Sequence, residues 1–289
     1  MLQKQFLLRE ALAFRLRLNI HGAALSDIFS DSHMHLRFVI SLIVVAFSPA
    51  IFSQGTNQPT VDELIAKNIE AKGGPIALNN LQTLRTTGKV LVPIQGQIEL
   101  TYLQTKKRPD EVRTEASLQG MTQIEAYDGK DGWKVFPFFG RKDPERMSAD
   151  DVKALVEDTE MGGPLADWKA KGSTVEYLGT EDVDGTSAYK LKVVRKNGDV
   201  SFVYLDPDHF LEIRIVTQRV RHGAHEEVEV DLGDYEKAAD VFVPTSIEVG
   251  RKGAPDKQTV VVDKVEANVP VDDAIFHFPG QINVPEPKR

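Results

Sequence analysis

Histidines and carboxylates near position 222 are the first candidates for chemistry in this sequence. His222 and His225, with Gly-Ala between them and with Glu226 and Glu227 behind them, are residue types that ligate metal ions. A zinc site needs three or four convergent ligands, however, and the chain has no cysteine. Gly-Ala also suits the tip of an exposed hairpin. We interpret the segment as a turn and predict no metal site.

No other segment carries a catalytic signature. The sequence lacks the nucleophile elbow G-x-S-x-G, a Walker-type glycine loop, the zinc motif H-E-x-x-H and a dinucleotide fingerprint. Segment 128–132 resembles a calcium loop in composition only, because Lys130 stands where an oxygen ligand is needed. We predict that the protein uses no cofactor and is not an enzyme. A hydrolase with two carboxylates that meet only in the fold stays open as an alternative.

Large aromatic rings follow this turn, between positions 126 and 147. A half-buried strand needs apolar side chains on one face only. Here bulky apolar residues occupy successive positions, and Pro137 interrupts the hydrogen bonding of the strand. The segment is a plug of core, a wall for an apolar ligand, or an exposed anchor for a protein partner. The rings concerned are Trp133, Phe136, Phe138 and Phe139.

The elements that position these residues are mostly β-strands. From Leu84 onward, apolar and polar residues alternate with period two, which predicts half-buried antiparallel strands. We count roughly ten to twelve strands, as expected for one large sheet or barrel. Asn197-Gly198 is a strong hairpin signal between two of them.

Two or three short helical segments accompany the predicted sheet, one of them a short turn after Pro75. Thr60 and Glu63 have the spacing of a capping box, and Gly73-Gly74 ends the helix that they begin. A second helix begins after Ser148 and interrupts the strands. Glycines at positions 140, 162 and 163 flank this insertion and provide hinge conformations.

The apolar face of the predicted sheet is larger than these few helices can cover. A sheet must bury its apolar face, so the imbalance predicts a curved sheet around an apolar hollow, with a dense core as the alternative. A buried methylene is worth about 0.8 kcal/mol, and a sixteen-carbon acyl chain would gain roughly 12 kcal/mol at most before ordering costs. Such a hollow would suit a lipid carrier.

The N-terminal region predicts export. After Met34, a single Arg37 precedes an apolar run and then small residues, which is the layout of a secretory signal peptide over 34–53, with a retained membrane anchor as the alternative. We interpret 1–33 as an upstream extension that is not translated, and 54–289 as one domain. Removing 1–53 leaves 30 basic and 40 acidic residues, a net charge of −10. This charge disfavours nucleic acid as a partner, and the absence of cysteine fits a periplasmic protein.

The order of these segments resembles a known family. A signal peptide, a helix ending in Gly-Gly, "LRTTGKV", the stretch "AYDGKDGWKVFPFFGRKDPERMSADDV", "KNGDVSFVYLD" and "FVPTSIEVG" together resemble the periplasmic lipoprotein carriers, and more closely the LolA-like outer-membrane lipoprotein-sorting proteins. The resemblance covers about 60–279. It implies an α+β fold in which a large curved antiparallel sheet forms a half-open, incomplete β-barrel. Short helices would cover the concave face as a lid.

The resemblance also implies a ligand and the residues that hold it. The expected cargo is the acyl chain of a lipoprotein or another lipid, chaperoned by a monomer between membrane-bound donor and acceptor proteins. The lid is expected to close through an arginine, for which Arg85 and Arg113 are candidates. A sensor or scaffold on the same fold stays open as the alternative. The predicted wall and lid residues are Ile98, Leu100, Tyr102, Trp133, Val135, Phe136, Phe138, Met147, Val152, Leu155, Trp168, Leu191, Val193, Phe202 and Tyr204.

Overall fold

The computed structural model describes residues 58–94 and 96–280. The predicted extension 1–33 and the predicted signal peptide 34–53 lie outside these residues. Within them, the structure contains three α-helices and two short 3₁₀ turns. The helices are α1 (Val61–Ala71), α2 (Gly74–Asn80) and α3 (Ala149–Asp158), and the 3₁₀ turns are Pro137–Phe139 and Asp273–Ile275.

Thirteen strands of the described residues form a single sheet. This is more than the predicted ten to twelve, and the charged strand β6 at one edge lacks the alternation that would have revealed it. The strands are β1 (Thr83–Val92), β2 (Ile98–Lys107), β3 (Glu111–Leu118), β4 (Met121–Asp128), β5 (Gly132–Phe136), β6 (Arg141–Arg146), β7 (Thr174–Val183), β8 (Thr186–Val194), β9 (Val200–Leu205), β10 (Glu212–Arg221), β11 (Ala224–Ala238), β12 (Val241–Arg251) and β13 (Gln258–Ala267).

The sheet is antiparallel and open. Its strand order is β6-β5-β4-β3-β2-β1-β13-β12-β11-β10-β9-β8-β7, so β1 pairs with β13 in the middle of two meanders. The two ends of the order, β6 and β7, do not pair with each other. The predicted α+β fold with a half-open barrel is confirmed.

Helix α1 begins where the sequence predicts. The Thr60 hydroxyl accepts a hydrogen bond from the Glu63 backbone N–H at 3.2 Å, and the Glu63 carboxylate accepts one from the Thr60 N–H at 2.8 Å. This capping box satisfies two N–H groups that the first turn leaves free. The helix ends before Gly73, where a Cβ would lie 2.0 Å from the Asp240 carbonyl oxygen, so glycine is required there.

All three helices lie against one face of the sheet, which we call the concave face. Strand pairing fixes this face, because side chains of directly paired residues point to the same side. One row runs across the middle of the sheet and joins the two meanders through Leu232, Ile247, Val260, Val90 and Leu100.

The concave face carries three separate apolar clusters. Beneath α1, Leu64 and Ile65 pack with residues of β8 and β9. Beneath α2, Leu78 packs with Val241 and Val243 of β12. The third cluster lies on β1, β2 and β13 and, among the described residues, contains no α-helical side chain. None of the helices in the described ranges is long and apolar enough to span a membrane.

Candidate functional site

The helix-free cluster forms an apolar wall on the concave face. Leu100 and Tyr102 are buried on β2, and Ile98 packs beside them. Phe138 joins them from the 3₁₀ turn after β5 and is only 3 % exposed. The turn can fold back in this way because Gly140 closes it in the left-handed conformation at φ 76°. The structure therefore brings together four of the predicted wall residues: Ile98, Leu100, Tyr102 and Phe138.

A polar row lies next to this wall. Strand pairing places Thr86, Gln104, Thr114, Glu125 and Lys134 side by side across five strands on the concave face. The Gln104 amide donates a hydrogen bond to the Thr114 hydroxyl at 3.2 Å. Burial raises the pKa of Glu125, and the nearby Lys134 ammonium opposes that shift. The concave face is thus not uniformly apolar.

Two further charges face the same region. Lys106 follows Gln104 on the same side of β2, and burial lowers the pKa of its ammonium. Burial raises the pKa of Asp158, the last residue of α3, and the nearby Lys106 ammonium opposes that shift in part. The Asp158 side chain is nevertheless exposed to solvent. Lys106 and Asp158 therefore add two charges to the concave side beneath α3.

Helix α3 lies across this region over β3, β4 and β5. Its N-terminal turn is held by polar contacts. Ser148 caps the helix by accepting a hydrogen bond from the Asp151 N–H at 3.2 Å. Asp150 accepts one from the His222 backbone N–H at 2.9 Å, and Asp151 lies 2.9 Å from the His222 Nε2 and 3.7 Å from the Lys134 ammonium.

The other end of α3 is held by two arginines. Arg219 of β10 lies between Glu157 of α3, at 3.2 Å, and Glu226 of β11, at 2.9 Å. The guanidinium of Arg195 donates to both carboxylate oxygens of Glu160, at 2.7 and 3.1 Å. Bidentate pairs of this kind are strong and directional. Ion pairs therefore attach the lid segment to the opposite meander.

Arg85 and Arg113 were predicted as candidates for the arginine that closes the lid, and neither lies on the concave face. Arg113 lies on the opposite, convex face, where it donates to the Ile275 carbonyl at 2.9 Å. Arg85 occupies the same phase of β1 as residues of that face. Arg219 and Arg195 make the contacts to the lid instead.

Trp133 and Val135 do not lie on the concave face. Their strand alternates, and Lys134 between them points to the concave side. The Trp133 indole N–H donates to the Phe276 carbonyl at 2.7 Å, and its ring meets Phe278 edge-on at 6.4 Å. Trp133 thus anchors the C-terminal segment on the convex side. Phe136 is half-buried at the end of β5, and the side chain of Phe139 lies outside the described part.

The expected wall residues of the second meander also divide between the two faces. Leu191 and Val193 are fully buried beneath α1. Trp168, which was predicted to belong to the lid, packs against this same cluster instead. Phe202 and Tyr204 lie on the convex face with Val216. The connection between β8 and β9 explains the difference. Arg195 N–H donates to the Asp199 carbonyl across a three-residue loop, which pairs Leu191 with Val203.

The remaining lid residues lie near β5. Met147 donates its N–H to the Gly132 carbonyl at 2.8 Å, and a Cβ on Gly132 would meet a methyl of Val152 at 2.5 Å. Glycine at 132 therefore lets α3 approach the sheet. Leu155 is 3 % exposed, whereas the next residue, Val156, is 42 % exposed.

The His222–His225 segment forms a hairpin tip. Arg221 pairs with Ala224, which leaves His222 and Gly223 as a two-residue turn with φ values of 49° and 77°. Both positive φ angles match a type I′ hairpin. No group of three or more His, Cys, Asp or Glu residues in the described ranges is arranged to hold a metal ion.

Comparison with known proteins gives structural matches only. Neither a protein-family model nor a curated protein sequence matches the chain. Among solved structures, a domain from Vibrio parahaemolyticus described as an outer membrane lipoprotein-sorting protein matches at a TM-score of 0.50 and 14% identity, over 74% of this chain and 94% of that one. A LolA superfamily protein from Nitrosomonas europaea matches at a TM-score of 0.52 and 13% identity, over 76% of this chain and 98% of that one. A DUF1329 family protein from Desulfovibrio piger matches at a TM-score of 0.51 and 13% identity, over 76% of this chain and 98% of that one.

The chain has a LolA-like fold. At these identities the matches concern the architecture alone, which is the open sheet and the helices on one face.

Within this LolA-like fold, the sequence prediction missed the charged residues of the concave face. Lys106 and Glu125 occupy the side of β2 and β4 that carries Tyr102 and Met121. The signal was a charge in the apolar phase of a strand. The contact of Arg219 with Glu157 spans 62 positions and left no sequence signal.

Proposed function

We propose that the protein is a periplasmic carrier that binds acyl chains of lipoproteins or other lipids on its concave face, for transfer toward the outer membrane. The observation that supports this proposal most directly is the apolar wall around Leu100 and Phe138, to which no described α-helix contributes a side chain. The lipoprotein-sorting description of the Vibrio relative points to the same cargo.

The lid arrangement supports a cargo that enters and leaves. Helix α3 contributes a single fully buried side chain, Leu155, and is otherwise held by hydrogen bonds and ion pairs. When the lid lifts, water can replace the lost hydrogen bonds and offset part of their free energy. Opening such a lid therefore loses less free energy than pulling an apolar helix from a core.

Lipid that remains bound through purification tests the proposal. Mass spectrometry under native conditions should detect added mass on the purified protein, and a fluorescent fatty acid should gain intensity on binding. A blocking variant must not disturb the core, so fully buried positions such as Ser201 are avoided. Ala116→Trp, at the half-buried rim of the apolar wall, should block uptake, with Leu178→Trp on exposed β7 as the matched control. Protein that is empty and takes up no fatty acid would contradict the proposal.

A hydrolase built on two carboxylates is the second candidate. Glu125 lies on the concave side beneath α3, which ends at Asp158. Burial raises the pKa of each carboxyl, as a general acid requires. A carrier releases its lipid unchanged, whereas a hydrolase releases fatty acid. Chromatography of a bound ester-linked lipid after incubation distinguishes the two, and loss of cleavage in Glu125→Gln would favour the enzyme.

The protein-partner alternative loses one of its three expected anchor residues, Phe136, Phe138 and Phe139. Phe138 packs into the apolar wall and is not available to a partner. We propose instead that membrane-bound donor and acceptor proteins meet the monomer at the lid. Export through cleavage near residue 53 is part of the same proposal. Sequencing of the N-terminus of the protein from the periplasmic fraction tests the cleavage, and peptides from 1–33 in the uncleaved precursor would contradict the proposed start at Met34.

A further inference from the structure

Three charged side chains on the concave face have no partner of their own. In the part of the chain that the structure describes, Lys106, Glu125 and Asp158 form neither a hydrogen bond nor an ion pair. Charged residues beside them are paired, since Lys134 meets Asp151 and Arg219 meets Glu157. Charges left without a partner in a partly buried place are costly unless a ligand or water meets them.

The three charges share one space. Helix α3 lies over β3, β4 and β5 on the concave side and ends at Asp158. The Asp158 carboxylate is close enough to Tyr102, Lys106 and Glu125 to influence their pKa values. Lys106 and Glu125 stand on neighbouring rows of the sheet, one on β2 and the other on β4. Asp158 reaches the same space from the end of α3.

The polar space continues directly from the apolar wall. Along β2, the concave side shows Ile98, Leu100, Tyr102, Gln104 and Lys106 in turn. Each step of two residues covers about 7 Å, so the sequence from Leu100 to Lys106 spans roughly 20 Å. The surface changes from apolar to charged over the length of one acyl chain with its polar group. This gradient matches an amphiphile that lies along the strand.

We propose that Lys106, Glu125 and Asp158 form a subsite for the head group of a zwitterionic lipid that carries a primary ammonium beside an anionic group. The inference rests on the proposed carrier function and adds the class of lipid. Two carboxylates can accept the hydrogen bonds of one ammonium, and the Lys106 ammonium then meets the anionic group. A lipid with only an anionic head meets an excess of negative charge, and a quaternary ammonium has no hydrogen to donate.

Lipids with the same acyl chains and different heads test the subsite. The purified protein is titrated with detergent-dispersed dioleoyl phosphatidylethanolamine, phosphatidylcholine and phosphatidylglycerol, each competing against a fluorescent fatty acid. We expect phosphatidylethanolamine to bind at least tenfold more tightly than phosphatidylglycerol, with phosphatidylcholine between them. Low salt is used because screening weakens partly exposed charges.

Paired substitutions assign the preference to these residues. Glu125→Gln with Asp158→Asn keeps the size of both side chains and should reduce the preference to within about threefold. Glu99→Gln is the matched control, because Glu99 lies on β2 with its exposed side chain on the opposite face. Thermal unfolding of each variant checks that the fold is kept, and Lys106→Met provides a second variant that should weaken phosphatidylethanolamine binding.

The outcomes separate this inference from the carrier function. Equal binding of the three lipids, a preference that survives in Glu125→Gln with Asp158→Asn, or unchanged phosphatidylethanolamine affinity in Lys106→Met would overturn the subsite and leave the carrier in place. If neither the lipids nor the fatty acid bind, the carrier function fails and the subsite fails with it.

Discussion

Helices α1 and α3 cover the same face of one sheet but are held by different forces. Helix α1 inserts Leu64 and Ile65 into a cluster with fully buried residues of β8 and β9. Helix α3 inserts Leu155 alone and is otherwise attached through Arg219, His222 and Lys134. The first attachment depends on burial of apolar surface, and the second on ion pairs and hydrogen bonds.

This difference assigns separate roles to the two parts. Burial of several large side chains contributes about 1.5–3 kcal/mol each, so α1 and its strands behave as a fixed scaffold. The attachment of α3 buries fewer apolar groups, and water can replace each hydrogen bond that is lost when the helix lifts. Segments of low local stability are those that move in binding. We therefore expect the α3 side to open while the α1 side stays packed.

The largest expected effect lies in the scaffold. Leu191→Ala removes a fully buried side chain beneath α1 and should lower the free energy of unfolding by about 2–5 kcal/mol. Denaturant unfolding measures it. Leu178→Ala, on the exposed side of β7, is the control and should change stability by no more than about 0.5 kcal/mol. Equal losses of stability at the two positions would show that burial beneath α1 does not hold the scaffold together.

A smaller and more local effect is expected at the lid. Arg219→Gln breaks the contacts with Glu157 and Glu226, and charged hydrogen bonds of this kind contribute about 1.5–3 kcal/mol. Amide hydrogen exchange in 149–158 should accelerate about tenfold or more, while α1 keeps its protection. Arg141→Gln, which breaks the exposed pair with Glu145, should leave exchange in 149–158 unchanged. Equal acceleration in both helices would mean that they open together.

The capping box of α1 predicts a modest effect on the scaffold. Thr60→Ala removes the acceptor for the Glu63 N–H and should cost about 1 kcal/mol in stability. Thr60→Ser keeps the hydroxyl and should retain most of that contribution. Denaturant unfolding compares the two variants, and identical losses in both would show that the cap does not stabilise α1.

The smallest expected effect is a pH dependence at Glu125. Burial raises the pKa of this carboxyl above its ordinary value of 4.5. Below that value the carboxyl is protonated in the folded and unfolded states alike, so its ionisation does not change the free energy of unfolding. As pH rises, the unfolded state releases the proton first, so the carboxyl reduces stability until the folded pKa is passed, and the cost then stays constant. Glu125→Gln should therefore stabilise the protein at pH 7 but not at pH 3.5, and the opposite order would contradict a buried carboxyl.

Local signals predicted much of the fold. The capping box at Thr60 and the period-two strands needed only neighbouring residues, and the structure confirms them. The register in which neighbouring strands pair was harder to predict from the sequence. The Asn197-Gly198 signal suggests a two-residue turn, but the loop has three residues, and one residue of slip moves a whole strand to the other face. Phe202 and Tyr204 were placed on the wrong side for this reason.

The candidate site was predicted less completely because it depends on distant contacts. Phe138 was expected on the wall, and the sequence shows why the chain turns back at Pro137 and Gly140. Trp133 was expected beside it, yet its partner Phe276 lies 143 positions away on the convex side. The contacts of α3 with Arg219 and His222 span 62 and 72 positions. Nothing local in the sequence encodes such pairs.

The most direct test of the account is a lid that can be locked. Because the chain has no cysteine, Asp150→Cys with His222→Cys introduces the only thiols, at two residues joined by a hydrogen bond of 2.9 Å. Uptake of a fluorescent fatty acid is measured in the oxidised and reduced forms of the same sample, with each single variant as a control. The account predicts fast uptake when reduced and at least tenfold slower uptake when oxidised. Equal uptake in the two forms, with the disulfide confirmed by mass spectrometry, would contradict a lid formed by α3.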